Sequence, residues 1–134
     1  MSLSKETALR AYAKMMNNLD ASHIEPFLAD DFVYVSQAVF ESISSKPDFL
    51  EYIYPKLETI RRANAPVFAE MGRIGAYGEI QTCVVTAQYD RSNLVAVVLA
   101  SVGGEHLTQL TVCTVAPPPE QAERSGGDPG PHAA

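Results

Sequence analysis

A chain of 134 residues fits one domain and can bury roughly two-thirds of its unfolded surface. Apolar residues at 46% and charged residues at 19% are globular proportions, which sets aside disordered and fibrous classes. A formal net charge of −6 argues against nucleic acid, which needs a basic face, and against an anionic membrane surface.

The first helix is expected from about Lys5 to Leu19, with Ser4 as its N-cap. Leu9, Tyr12, Ala13, Met16 and Leu19 recur at three- and four-residue spacing and make one apolar stripe. Lys5, Arg10, Lys14 and Asn17 lie off that stripe and should face water. Ser22-His23-Ile24-Glu25 has capping-box spacing, so a second, short helix is expected there, with Pro26 near its first turn and Leu28 closing it. Ala29-Asp30-Asp31 reads as a turn. Phe32 to Ser36 is rich in β-branched and aromatic residues and reads as a strand, with Phe32, Tyr34 and Ser36 on one face. Val39 to Ile43 is a weaker second strand.

Ser44-Ser45-Lys46-Pro47-Asp48 signals a helix start, with Ser45 or Lys46 at the cap. The long helix that follows carries Phe49, Ile53, Leu57 and Ile60 on one face, and Pro55 inside it should remove one hydrogen bond and bend it. After Pro66 the periodicity becomes strand-like. Strands are expected over Val67–Arg73, Glu79–Tyr89, Leu94–Val102 and His106–Val115, separated by turns at Gly75–Gly78, Asp90–Asn93 and Gly103–Glu105. Short turns between successive strands favour antiparallel pairing. Leu94 to Val102 is apolar on both faces and needs cover on both. From Pro117 the text turns to proline, glycine and charge. The expected organisation is one domain over residues 1–116 and a flexible or loosely docked tail over 117–134.

No apolar run reaches the ~18 residues of a membrane span, and MSLSKETALR lacks the apolar centre of a signal peptide, so the expected setting is cytoplasmic. Cys83 and Cys113 then read as reduced core residues. No two of His23, His106, His132, Cys83 and Cys113 have ligand-like spacing, so neither a metal nor another cofactor is expected.

The order of helix, short helix, strand, kinked helix and curved antiparallel sheet resembles the nuclear transport factor 2-like superfamily. The stretches that carry the resemblance are AYAKMMNNLDASHIEPFLADDFVYVS and SSKPDFLEYIYPKLETIR. It implies an α+β cone: a curved antiparallel sheet packed on an N-terminal helix, a short helix and a long kinked helix, enclosing an apolar cavity. It also implies a homodimer through the outer face of the sheet, and the apolar Leu94–Val102 stretch points the same way.

Ketosteroid isomerases of that superfamily use a first-helix tyrosine and two carboxylic acids. By the resemblance the tyrosine corresponds to Tyr12, the base position falls on Ser36, and the second acid falls at or near Ala100. Neither carboxylate is present, and serine is too weak a base to replace one without an activating histidine. Cyclases and dehydratases of the superfamily use histidine and aspartate facing the cavity. Here His23 and His106 sit at element starts and read as surface residues, and Asp30-Asp31 reads as a solvated connection. No catalytic residue is assigned outright; Tyr12 is the candidate. The expected pocket consists of Tyr12, Met16, Tyr34 and Ser36, with Phe40 and Tyr52, offering hydroxyls on an apolar wall. Plain core packing explains the same residues equally well. Gln109, Thr111 and Cys113 share one face of the last strand and line either the cavity or the dimer contact. The reading is a small dimeric domain that binds a hydrophobic or aromatic molecule. The alternatives are a SnoaL-like enzyme using pocket tyrosines and a protein-interaction module using the sheet or the tail.

Overall fold

The computed structural model describes residues 2–37, 42–115 and 117–127. Helix α1 spans Lys5–Asn18, strand β1 Leu28–Ser36, strand β2 Ile43–Ser44 and helix α2 Lys46–Arg62. Strands β3 (Val67–Ala76), β4 (Glu79–Gln88), β5 (Leu94–Gly103), β6 (His106–Cys113) and β7 (Glu123–Gly127) follow. Short 3₁₀ turns lie at Ala21–His23, Glu25–Phe27 and Pro119–Gln121. The two helices start as the sequence indicates. Ser4 Oγ accepts from Thr7 N at 3.1 Å, and Ser45 Oγ accepts from Asp48 N at 3.1 Å with Pro47 in the first turn. Helix α2 continues through Pro55, which has no N–H to give to the preceding turn.

Among the described residues the strands form one unclosed sheet in the order β2-β1-β6-β5-β4-β3-β7. Strands β3 to β6 pair antiparallel, as their short turns indicate. The β3–β4 turn is tighter than expected: Tyr77 and Gly78, both at positive φ, make a two-residue hairpin loop. Strands β1 and β6 run parallel, against the expectation of a wholly antiparallel sheet. They are joined through α2 and four strands, the long connection that parallel pairing needs.

The segment before β1 also departs from expectation. Asp20, not Ser22, caps the chain there, its carboxylate accepting from Ser22 N at 3.0 Å. Two separate 3₁₀ turns replace the short helix, because Pro26 cannot supply the N–H that would fuse them. Ala29-Asp30-Asp31 lies inside β1 as a bulge: the register passes from Leu28↔Leu107 to Val33↔Gln109. Both aspartates are exposed. Of the expected strand Val39 to Ile43, residues 39–41 lie outside the described residues.

Helix α1 packs against β3, β4 and β5 on the inner face of the sheet. Because strands surround it, its buried arc is wider than the expected stripe and includes Ala8, Ala11, Met15 and Asn17. Asn17 is the correction: placed in water by the spacing, it is 3% exposed. Its amide donates to Ala69 O at 2.9 Å and accepts from Ala69 N at 2.7 Å. A single side chain thus satisfies both backbone groups of one β3 residue.

The outer face carries its own apolar cluster of Ile74, Cys83, Val85, Val97, Leu99 and Cys113, with Ala122 packed on it. Residues 117–127 are therefore no loose tail. The Pro119–Gln121 turn lies over β5, and β7 pairs antiparallel with β3. Gly72 permits the approach, since a Cβ there would meet Glu123 O at 2.9 Å. Glu70, 6% exposed, accepts from Arg124 Nε at 2.6 Å, with Arg91 at 3.8 Å. The cover that β5 needs on its outer face is supplied within the chain, so its apolar character carries no argument for a second copy. Residues 128–134, with His132, lie outside the described residues.

Candidate functional site

Helices α1 and α2 and the inner face of the sheet border a partly open cavity of about 320 Å³. Helix α1 contributes Tyr12 and Met16 on adjacent turns, and alternate residues of β1 contribute Tyr34 and Ser36. Helix α2 supplies Lys56 and Ile60. The remaining wall comes from Val67 on β3, Thr86 to Gln88 on β4, Val95 and Ala96 on β5, Val112 on β6, and Thr114 beyond it.

Four of the expected pocket residues, Tyr12, Met16, Tyr34 and Ser36, thus line one cavity. Tyr52 stands behind the lining, its ring 5.4 Å from that of Tyr34. Phe40 lies outside the described residues. Gln109, Thr111 and Cys113 pair in register with outward residues Ser101, Leu99 and Val97, so they face away from the cavity. Gln109 Nε2 donates to Thr111 Oγ1 at 3.0 Å. Ala100 lies in the inner core and not on the cavity wall. His23 and His106 are exposed. Among the described residues no group of three or more His, Cys, Asp or Glu is placed to hold a metal ion. Burial pushes the Cys83 thiol up to about 12, so it stays protonated and unreactive.

Several of the polar groups at the cavity are connected. Tyr34 shares hydrogen bonds with Ser36 and with Tyr52. The Lys56 ammonium donates to Tyr52 Oη at 3.1 Å and sits 5.3 Å from that ring's centroid. Burial lifts the Tyr12 phenol well above the ordinary range, and neighbouring Tyr52 adds to the shift. Burial lifts Tyr34 likewise, followed by the neighbouring Tyr12 and Tyr52 phenols. Both phenols therefore stay protonated throughout the neutral range and act as donors, not bases. No carboxylate and no histidine stands among the lining residues. The group can hydrogen-bond an oxygen of a bound molecule; it holds no strong base.

Sequence reasoning passed over Lys56. It lies four residues after Tyr52 and four before Ile60, so the helical spacing that turns those two inward turns Lys56 inward as well. A lysine on a helix ordinarily reads as a solvated charge, which masked the signal.

No family model matches the chain, and no curated protein matches it. Solved structures do. A protein from Kribbella flavida DSM 17836 aligns at 16% identity and TM-score 0.54, covering 88% of this chain and 91% of that one. A Sinorhizobium meliloti protein described as a polyketide cyclase aligns at 10% identity and TM-score 0.52, over 76% and 89% of the two chains. An LEH-like epoxide hydrolase of M. tuberculosis aligns at 20% identity and TM-score 0.53, over 82% and 81%. At these identities the likeness establishes the fold. The chain has the α+β cone of the nuclear transport factor 2-like superfamily, the fold shared by the cyclase and the epoxide hydrolase. Among the described residues no helix is long and apolar enough to cross a membrane.

Proposed function

We propose that this protein binds a small hydrophobic or aromatic molecule in the cavity between α1, α2 and the sheet. The observation that carries the reading is the make-up of the wall. Met16, Ile60, Val67, Val95, Ala96 and Val112 give it an apolar surface, into which Tyr12, Tyr34, Ser36 and Lys56 set a few polar atoms. Its volume of about 320 Å³ falls at the lower end of the ~300–1,000 Å³ usual for small-molecule sites. A thermal-shift screen against fused-ring ketones, polyketide-like aromatics and fatty acids tests it. A ligand at about a hundred times its dissociation constant adds ~2.7 kcal/mol, a rise of several degrees. Ala96→Phe, which fills the cavity from β5, is expected to abolish that rise. No rise with any class, or an equal rise in Ala96→Phe, would sink the reading.

A second reading, an enzyme of the cyclase, isomerase or dehydratase kind, is favoured by the two buried phenols held protonated on the cavity wall. Such donors stabilise an oxygen that gathers charge during reaction. On this reading Tyr12→Phe, tested with whatever ligand the screen returns, lowers turnover by roughly 10²–10³-fold with little change in melting temperature. Unchanged turnover with a lowered melting temperature assigns Tyr12 to packing alone.

A further inference from the structure

We propose that the ligand is an anion, the carboxylate of a small aromatic or aliphatic acid, with its head at Lys56 and Tyr12 and its body against Met16, Ile60 and Val112. This rests on the ligand-binding reading above and goes past it to the charge of the ligand. All six arginines of this acidic chain have a glutamate partner: Arg10 with Glu6, Arg61 and Arg62 with Glu58, Arg73 with Glu123, Arg91 and Arg124 with Glu70. Lys56, half-buried on the cavity wall, has none among the described residues. Its ammonium carries three N–H donors and meets one protein acceptor, Tyr52 Oη at 3.1 Å.

A second donor faces the same space. Tyr12 is 5% exposed and lines the cavity, and its hydroxyl has no hydrogen-bond acceptor among the described residues. A phenol on the wall of a largely apolar cavity offers its donor to whatever occupies that space, because a donor left unpaired there is costly. Two donors with spare capacity, one of them charged, and no acidic side chain in the lining define a site for a group that only accepts. A ketone oxygen offers two lone pairs and no charge. A carboxylate offers two oxygens and the missing negative charge, and its hydrogen bonds to an ammonium are the stronger kind. The neutral surface beside them, with Met16 one turn along α1 from Tyr12 and Ile60 one turn along α2 from Lys56, suits the ring or chain that carries such a head.

Calorimetric titration with a matched pair of probes, 2-naphthoate and the neutral ketone 2-acetonaphthone, tests the inference at neutral pH. Lys56→Met keeps most of the length of the unbranched side chain and removes its charge, and its melting curve reports whether it folds. The expected result is that the wild type binds naphthoate about tenfold or more tighter than the ketone. Lys56→Met is then expected to weaken naphthoate by a similar factor and the ketone by a clearly smaller one, since a neutral oxygen loses a hydrogen bond but no charge pairing. Binding of the ketone as tight as naphthoate, or equal weakening of both by Lys56→Met, overturns the anion while leaving the cavity reading standing. Binding of neither probe overturns the proposed anion, and the thermal-shift screen then decides the cavity reading. Should Lys56→Met not fold, Lys56→Gln takes its place with the same expectation, and naphthoate binding that falls steeply with added salt in the wild type gives the same answer without a variant.

Discussion

Phe49→Ala is expected to cost about 4 kcal/mol, inside the ~3–5 kcal/mol typical of phenylalanine truncated in a core. Phe49 is fully buried in the first turns of α2, and its ring lies 4.9 Å from that of Phe32 in an edge-on contact. It also stands 5.2 Å from Tyr34 and 6.4 Å from Tyr52. One truncation therefore removes apolar burial and three ring contacts at once, each worth ~0.5–1.5 kcal/mol beyond area. The loss should appear as a fall of roughly 15 °C in melting temperature for a domain of this size. Urea unfolding at unchanged slope would confirm that the native state, not the unfolded chain, has changed. The same ring backs Tyr34, so ligand binding should weaken along with stability. A loss below about 2 kcal/mol would mean that Phe32 and Tyr52 collapse into the space, and the cluster would not be what fixes the cavity wall.

The helices and most strand positions were legible because their signals are local. Ser4 and Ser45 announce helix starts, and the spacing of Phe49, Ile53 and Leu57 announces a buried face, all three of them buried as read. The inward face of β1 was equally legible, since alternation alone puts Phe32, Tyr34 and Ser36 together. What escaped depends on partners far along the chain. Residues 117–127 bury little of their own, and β7 forms by pairing backbone with β3. The one hint was Glu70, an acid in the middle of an apolar strand, whose partner Arg124 lies 54 residues on. Lys56 escaped for a different reason. Its side chain is long and polar, and spacing reports which way a residue points without reporting whether a cavity or water lies there.

Asn17→Leu separates hydrogen bonding from packing, because leucine has the branched shape and heavy-atom count of asparagine, though a larger volume, and none of its polar atoms. Ala69 belongs to β3 and pairs across to Thr86 on β4, while among the described residues β7 pairs with β3 from Glu70 onward. The outer edge of β3 at Ala69 would thus present an N–H and a C=O to the interior, beside the buried face of α1. Asn17 closes that edge, with bonds of 2.7 and 2.9 Å from one amide. Each buried backbone group left without a partner costs ~1–3 kcal/mol, so the variant should lose about 3 kcal/mol, or roughly 10 °C. Ala69 N–H is expected to lose its hydrogen-exchange protection, while amides in the middle of β5 keep theirs relative to global unfolding. Leucine adds apolar contact that offsets part of the loss, so a fall of under about 1 kcal/mol would show that packing, not the amide, holds α1 against β3. A loss of the expected size would mean that this one amide fixes the height of α1 in the cone. Tyr12 and Met16 sit five and one residues before it on the same helix, so the depth of the cavity would rest on that pair of hydrogen bonds.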